Sequence, residues 1–191
     1  ETILAPRFLE SRGFFAKDFL MPYTNELKER FLRYVAISSE SNAKNPTVPS
    51  SEGQRELAKL LQAELQALGL EAIELNEHAI LTAKLPANVE NAPSIGFVAH
   101  LDTVPVNLSP NVKPQVLHYT GGDVCLNDEK GLWLRLAEHP ELAQYAGQDI
   151  VFTDGTSFLG ADNKAAIANV MTMLAIMQRE NRPHGDIHVA F

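Results

Sequence analysis

"SIGFVAHLDT" occupies residues 94–103 and "LGADNKAAIA" residues 159–168. The first is an apolar run, Ile95 to Ala99, that leaves not through a turn but through His100 and Asp102. Residues i and i+2 of a strand share a face, so imidazole and carboxylate emerge together at the strand's carboxyl end. Open α/β sheets bind their ligands there. A histidine that holds a metal usually has its ring fixed by a carboxylate behind it, which makes the pair a candidate ligand and positioning residue. Taken alone, a histidine hydrogen-bonded to a turn-forming aspartate explains the tripeptide equally simply, since short motifs match by chance. In the second stretch Asp162 stands where an apolar segment turns into a helix. Aspartate is a favoured N-cap, and capping is the simpler expectation for it in isolation. The alternative is a carboxylate whose two oxygens bridge two metal ions.

The rest of the pattern surrounds these two points. "TNELKERFLRYVAIS" places Leu27, Phe31, Tyr34 and Val35 at helical spacing, with Thr24 or Asn25 as cap. "SEGQRELAKLLQAELQALG" is the clearest helix. Leu57, Leu60, Leu61, Leu65 and Leu68 make one stripe, Ser51 and Gln54 have capping-box spacing, and Gly69 sits at the C-terminal cap. Strands are expected at 72–75, 80–85 and 95–99, and again near the end in "HGDIHVAF". Residues 104–145, with several prolines and "TGGD", read as long loops. "DIVFTD" and "TSFLGAD" read as two short strands joined at Asp154-Gly155. Residues 165–177 are apolar nearly all round, as in a helix buried on a sheet. Helices alternating with apolar strands predict an α/β fold with a central, mostly parallel sheet flanked by helices.

Composition narrows the function. A net charge of −8 argues against binding a phosphate backbone. No apolar run approaches the roughly 20 residues of a membrane span. The single cysteine, Cys125, permits no intrachain disulfide, and without a signal peptide this points to a reducing cytoplasm. With Asp123 and Asp128 nearby it lacks the electropositive surroundings of a reactive thiol. There is no HExxH, no G-x-S-x-G nucleophile elbow and no P-loop lysine after the glycine pair. The first 20 residues carry charges at Arg7, Glu10, Arg12, Lys17 and Asp18, unlike a secretory signal. They read as a leader or misassigned extension, with a natural start at Met21 and residues 21–191 as the folded part. The chain closes at Phe191 within a strand, as a truncated chain would.

HxD after an apolar strand, followed by GADNK before a buried helix, resembles the M20 family of co-catalytic zinc peptidases. "VPSSEGQ" (48–54), "TAKLPANV" (82–89), "GGD" (121–123) and "PHGDIHVAF" (183–191) fall in that family's order. "LPANV" and "PHGDIHVAF" are the strings closest to its tripeptide-aminopeptidase branch. The resemblance covers the chain from Met21 onward. It implies that residues 21–191 are the N-terminal part of the catalytic domain and that the lid and dimerisation domain is absent. His100 would bind zinc, Asp102 would clamp His100 as part of the catalytic machinery, and Asp162 would bridge two Zn2+ ions, followed by a cis peptide bond. Asn163 and Ala166 depart from the family's usual Asp and Gly. The family's glutamate pair, which supplies the general base and a further ligand, follows the strand matching "IHVAF".

The implied activity is release of the N-terminal residue from tripeptides, with small peptides as substrates, no nucleic acid or membrane partner, and a homodimer formed through the absent domain. This chain alone would be inactive. Two alternatives stay open: another M20 amidohydrolase, such as a deacylase or carboxypeptidase, and a non-catalytic fragment whose HxD and GAD residues only cap and pack.

Overall fold

The computed structural model describes residues 15–106 and 108–191, with side chains from Tyr23 onward. The helices are α1 (Phe15–Val35), α2 (Glu52–Ala67) and α3 (Ala161–Glu180). The strands are β1 (Glu71–Leu75), β2 (Leu81–Leu85), β3 (Ile95–Val98), β4 (Pro114–Tyr119), β5 (Val124–Asn127), β6 (Leu132–Leu134), β7 (Gln148–Thr153) and β8 (Ile187–Ala190).

The main sheet runs β1-β2-β8-β3. In β2, Leu81, Ala83 and Leu85 point into the core while Thr82 and Lys84 point away. Their neighbours Ile187, Val189 and Phe191 do the same from β8. That period-two alternation is the mark of a sheet with one face covered. The cover is helical: Leu57, Leu61 and Leu65 of α2, Ile167, Met171 and Leu174 of α3, and Tyr34 of α1 complete one cluster. α2 ends in a Schellman motif, with Gly69 N–H bonded to Gln66 O at 3.0 Å and Leu70 N–H to Leu65 O at 3.1 Å. Gly69 adopts the positive φ of 75° that this cap requires.

Several expectations need correction. The α/β class holds, but of the three ladders in the main sheet only β3 with β8 is parallel; β1 with β2 and β2 with β8 are antiparallel. The helices named here gather on one face, and Val98 is 84% exposed on the other. α1 begins at Phe15, so Thr24 and Asn25 lie inside the helix and cap nothing. The expected leader lies outside the described residues as far as residue 14. Ser51 holds the N-cap position of α2, yet no capping box forms; Gln54 Nε2 donates instead to Ser50 Oγ at 3.2 Å. "TSFLGAD" is not a strand, because β7 pairs with β4 and the chain after Asp154 runs free of the ladder. Residues 104–145 are not mainly loop. They carry β4, the β5–β6 hairpin and a short 3-10 turn at Pro140–Tyr145, around a second small core of Tyr119, Val124 and Leu142. Asp123 of "GGD" accepts bonds from Leu136 N–H and Arg135 Nη1, both at 2.8 Å, which gives that motif a structural role.

The two strings closest to one branch of the family meet each other. Asn88 of "LPANV" accepts His184 N–H at 2.8 Å and donates to Arg182 O at 2.8 Å. Asp186 of "PHGDIHVAF" accepts Ala87 N–H at 2.8 Å and pairs with Lys84 at 2.9 Å. These contacts lie at the β8 end remote from His100, so the strings lock the sheet rather than line the site.

Gly53, in the first turn of α2, packs against the backbone of Ser38: a Cβ there would lie 1.7 Å from Ser38 O. Gly53→Ala must therefore push α2 off the segment around Ser38 that precedes it, and urea denaturation should show a loss of about 2 kcal/mol or more. An unchanged midpoint would mean the two backbones do not meet. A second prediction concerns Glu26 of α1. Burial favours its neutral form, but bonds from Arg30 (2.7 Å) and Arg179 of α3 (3.0 Å) outweigh this and hold the carboxyl below its usual range. The folded state thus binds fewer protons at this site than the unfolded chain. Its stabilising share is complete above the ordinary glutamate range and is lost as pH falls through the depressed value. Glu26→Gln should flatten the acid limb of a stability-against-pH curve; an identical slope would refute the pairing.

Candidate metal centre

Parallel pairing of β3 with β8 sends both strands out of the same end of the sheet, and Ala99 N–H extends the ladder to Ala190 O at 3.1 Å. His100 is the next residue. Leu101 turns back into the core at 8% exposure and Thr103 is nearly as buried, so His100 and Asp102 are left facing outward between two anchors.

A half-buried segment, residues 37–41 with Ser39 fully buried, holds this loop from behind. Ser39 Oγ donates to Leu101 O at 2.6 Å, Thr103 N–H to Ser39 O at 3.1 Å, and Ser41 N–H to Thr103 O at 2.9 Å. Glu40 adds a carboxylate bond to Val106 N–H at 2.7 Å.

The second loop arrives at the same place. Gly160 has a φ of 70°, and a Cβ on it would lie 2.8 Å from Thr103 Cγ2. Only glycine lets the two loops approach this closely. The Asp162–Asn163 peptide bond is cis, and both residues lie outside helical dihedrals, so regular helix begins at Lys164. Gly160, not Asp162, occupies the N-cap position, and no side-chain capping bond forms. The capping role expected for Asp162 is therefore not the one it plays. Its carboxylate, 89% exposed, reaches across to His100: Nε2 and Asp162 Oδ1 are 3.0 Å apart.

The other ring nitrogen of His100 lies 2.9 Å from the carbonyl oxygen of Asp102 and 3.3 Å from its Oδ1. A carbonyl only accepts, so Nδ1 carries a proton. Burial pulls the His100 pKa down, but the Asp102 carbonyl, the bond to Asp162 and the two negative charges outweigh it and hold the ring above its usual range. Nε2 stands within hydrogen-bonding distance of the Asp162 carboxylate, so the protonated ring donates its proton there. An imidazole nitrogen and a carboxylate are both zinc donors, so the chemistry of the pair fits a zinc ion that replaces this proton. It is a partial set. Among the described residues there is no cluster of three or more His, Cys, Asp or Glu able to hold a metal, whereas zinc takes four ligands. The other histidines make local pairs, such as His118 with Asp149 at 2.8 Å and His139 with Glu141 at 3.2 Å.

Lys164 was not singled out by the sequence. It is only 1% exposed, its Nζ donates to Ile37 O at 2.5 Å, and burial lowers its pKa to about 8. The available signal was a lone cation in an otherwise apolar helical stretch.

Asp162→Asn removes the charge facing Nε2. The His100 titration, followed by NMR of its ring protons, should then move down toward the ordinary histidine value; an unmoved titration would show that the two side chains do not meet in solution.

No family model matches the chain. A peptidase T-like protein from Yersinia pestis is 54% identical over 168 residues, 88% of this chain and 41% of its own length. A peptidase T-like protein from Rhizobium meliloti (strain 1021) is 53% identical over 90% of this chain and 42% of its own. Peptidase T from Escherichia coli (strain SE11) is 47% identical over 87% and 41%. The chain thus spans about two-fifths of the length of the curated relatives it matches. Among solved structures, aminopeptidase PepT from Bacillus cereus ATCC 10987 superposes with a TM-score of 0.59 at 24% identity, over 87% of this chain and 35% of that one. A tripeptidase from Staphylococcus aureus gives 0.57 over the same shares, and at these identities the likeness speaks for the fold alone. Sequence identity near one-half across almost nine-tenths of its residues makes the chain similar to the two-fifths of the peptidase T proteins that it spans.

Proposed function

We propose that this chain supplies half of the metal centre of a tripeptide aminopeptidase, an M20-type enzyme that releases the N-terminal residue of a tripeptide using two Zn2+ ions per complete site. The observation that carries the reading is the 3.0 Å approach of His100 Nε2 to Asp162 Oδ1 across 62 residues of sequence. Names of the relatives support a peptidase: curated homologues are called peptidase T.

Each residue has a separable task. His100 offers Nε2 as a ligand once its proton has left. Asp102 keeps Nδ1 protonated and the ring in one orientation, which fixes the tautomer that leaves Nε2 free. Asp162 offers two oxygens on a carboxylate so exposed that both can face incoming ions. When bound, a zinc pair supplies an acidified water and a polarised scissile carbonyl. The general base and the remaining ligands are proposed to come from the part of a peptidase T chain that this one does not span, so residues 21–191 bind but do not turn over. A reducing cytoplasmic setting accords with the single Cys125. Among the described residues no helix is long and apolar enough to cross a membrane.

The test joins residues 21–191 to the complementary part of the Yersinia relative and assays a tripeptide with a free amino terminus beside its N-acetylated form. Hydrolysis of the free tripeptide alone is expected. Asp102→Asn removes the charge behind the ring but leaves the 2.9 Å backbone carbonyl, so it should cost about tenfold, the low end for losing part of a ligand's outer support, and His100→Ala or Asp162→Asn more. Cleavage of N-acyl amino acids in place of tripeptides would transfer the reading to a deacylase. Full activity in the His100→Ala variant would end it.

A further inference from the structure

Lys164 is a buried amine that, among the described residues, pairs with no carboxylate; it donates to the carbonyl of Ile37, 127 residues away in sequence. Burying a charge without an opposite partner is costly, so its place in an otherwise apolar helix needs a reason. The reason lies in what the lysine connects. Ile37 opens the segment 37–41, and that segment is hydrogen-bonded on its far side to Leu101 and Thr103, which flank Asp102. Lys164 begins the regular part of α3, two residues after Asp162. Its Nζ also sits under the tight contact of Gly160 with Thr103, 3.6 Å from the point where a Gly160 Cβ would be. The HxD loop and the Asp162 loop are thus each fastened to one intervening strip of backbone, the first through Ser39 and the second through Lys164.

We propose that Lys164 is a positioning residue that sets the spacing between His100 and Asp162 by tying the Asp162 loop to the Ile37 carbonyl. The inference deepens the metal-centre reading and rests on it for its consequence, a prepared metal pair. The spacing itself, 3.0 Å between His100 Nε2 and Asp162 Oδ1, can be measured independently of that reading.

Lys164→Met keeps the length and apolar stem and removes the donor. A lysine that served only stability would, on replacement, change the thermal midpoint and leave the pair as it was. A positioning lysine behaves the opposite way. The crystal structure of the variant should show His100 Nε2 and Asp162 Oδ1 no longer within hydrogen-bonding distance, with the midpoint within a few degrees of the parent. Zinc titration of the parent and variant chains, with His100→Ala as the blank, should show affinity at the His100-dependent site falling at least tenfold. A variant that retains the 3.0 Å approach overturns the proposal, whatever its zinc affinity. If Lys164→Met does not fold, Lys164→Gln, which keeps a shorter donor, decides by the same distance. A parent chain with no His100-dependent zinc binding would count against the metal reading and leave the Lys164 assignment to be judged on the distance.

Discussion

One hydrogen bond, between His100 and Asp162, joins loops 62 residues apart, and several features of the fold converge to make it possible. The parallel pairing of β3 with β8 fixes where His100 emerges. The break at the start of α3 fixes where Asp162 does. Between them runs a strip of half-buried chain, residues 37–41, held by Ser39 on one side and Lys164 on the other. Gly160 admits the last contact because it has no Cβ to strike Thr103. None of these contacts is large. Each works because the apolar cluster of α1, α2, α3, β2 and β8 has already ordered the backbone on which they act, so few further degrees of freedom have to be frozen.

The electrostatics of the pair are those of a site that exchanges a proton for a cation. His100 lies between two acceptors and is held protonated above its usual range. Both carboxylates are well exposed, Asp162 most of all, so desolvation does not compete with their charge. A dication held by His100 and Asp162 would take the place of that proton and would meet two ligand atoms that face each other.

How much of this could be read in the residues depended on how local the determining contact was. α2 was legible to its last cap, since a leucine stripe and Gly69 lie within one stretch of chain. HxD at a strand exit was legible because period two dictates a shared face. Asp162 read alone as a cap, and only the residue two positions before it, Gly160 at positive φ, shows why it does not cap. β7 was legible as "DIVFTD", but its pairing with β4 escaped because the two short strands are some thirty residues apart. The apolar run at β3 implied cover on both faces, whereas the helices described here cover one and leave Val98 exposed. Lys164 and Gly53 escaped for the same reason as the ribbon: their partners, Ile37 and Ser38, belong to a polar-looking segment whose burial no pattern in it announces.

Anomalous diffraction at the zinc edge from crystals of the chain soaked in zinc tests the central claim most directly. The account predicts a peak between His100 and Asp162, about 2.0–2.2 Å from Nε2 and from a carboxylate oxygen, with the direct bond between the two side chains broken. Zinc found only elsewhere, for example between His118 and Asp149, with the His100–Asp162 hydrogen bond intact, would contradict it.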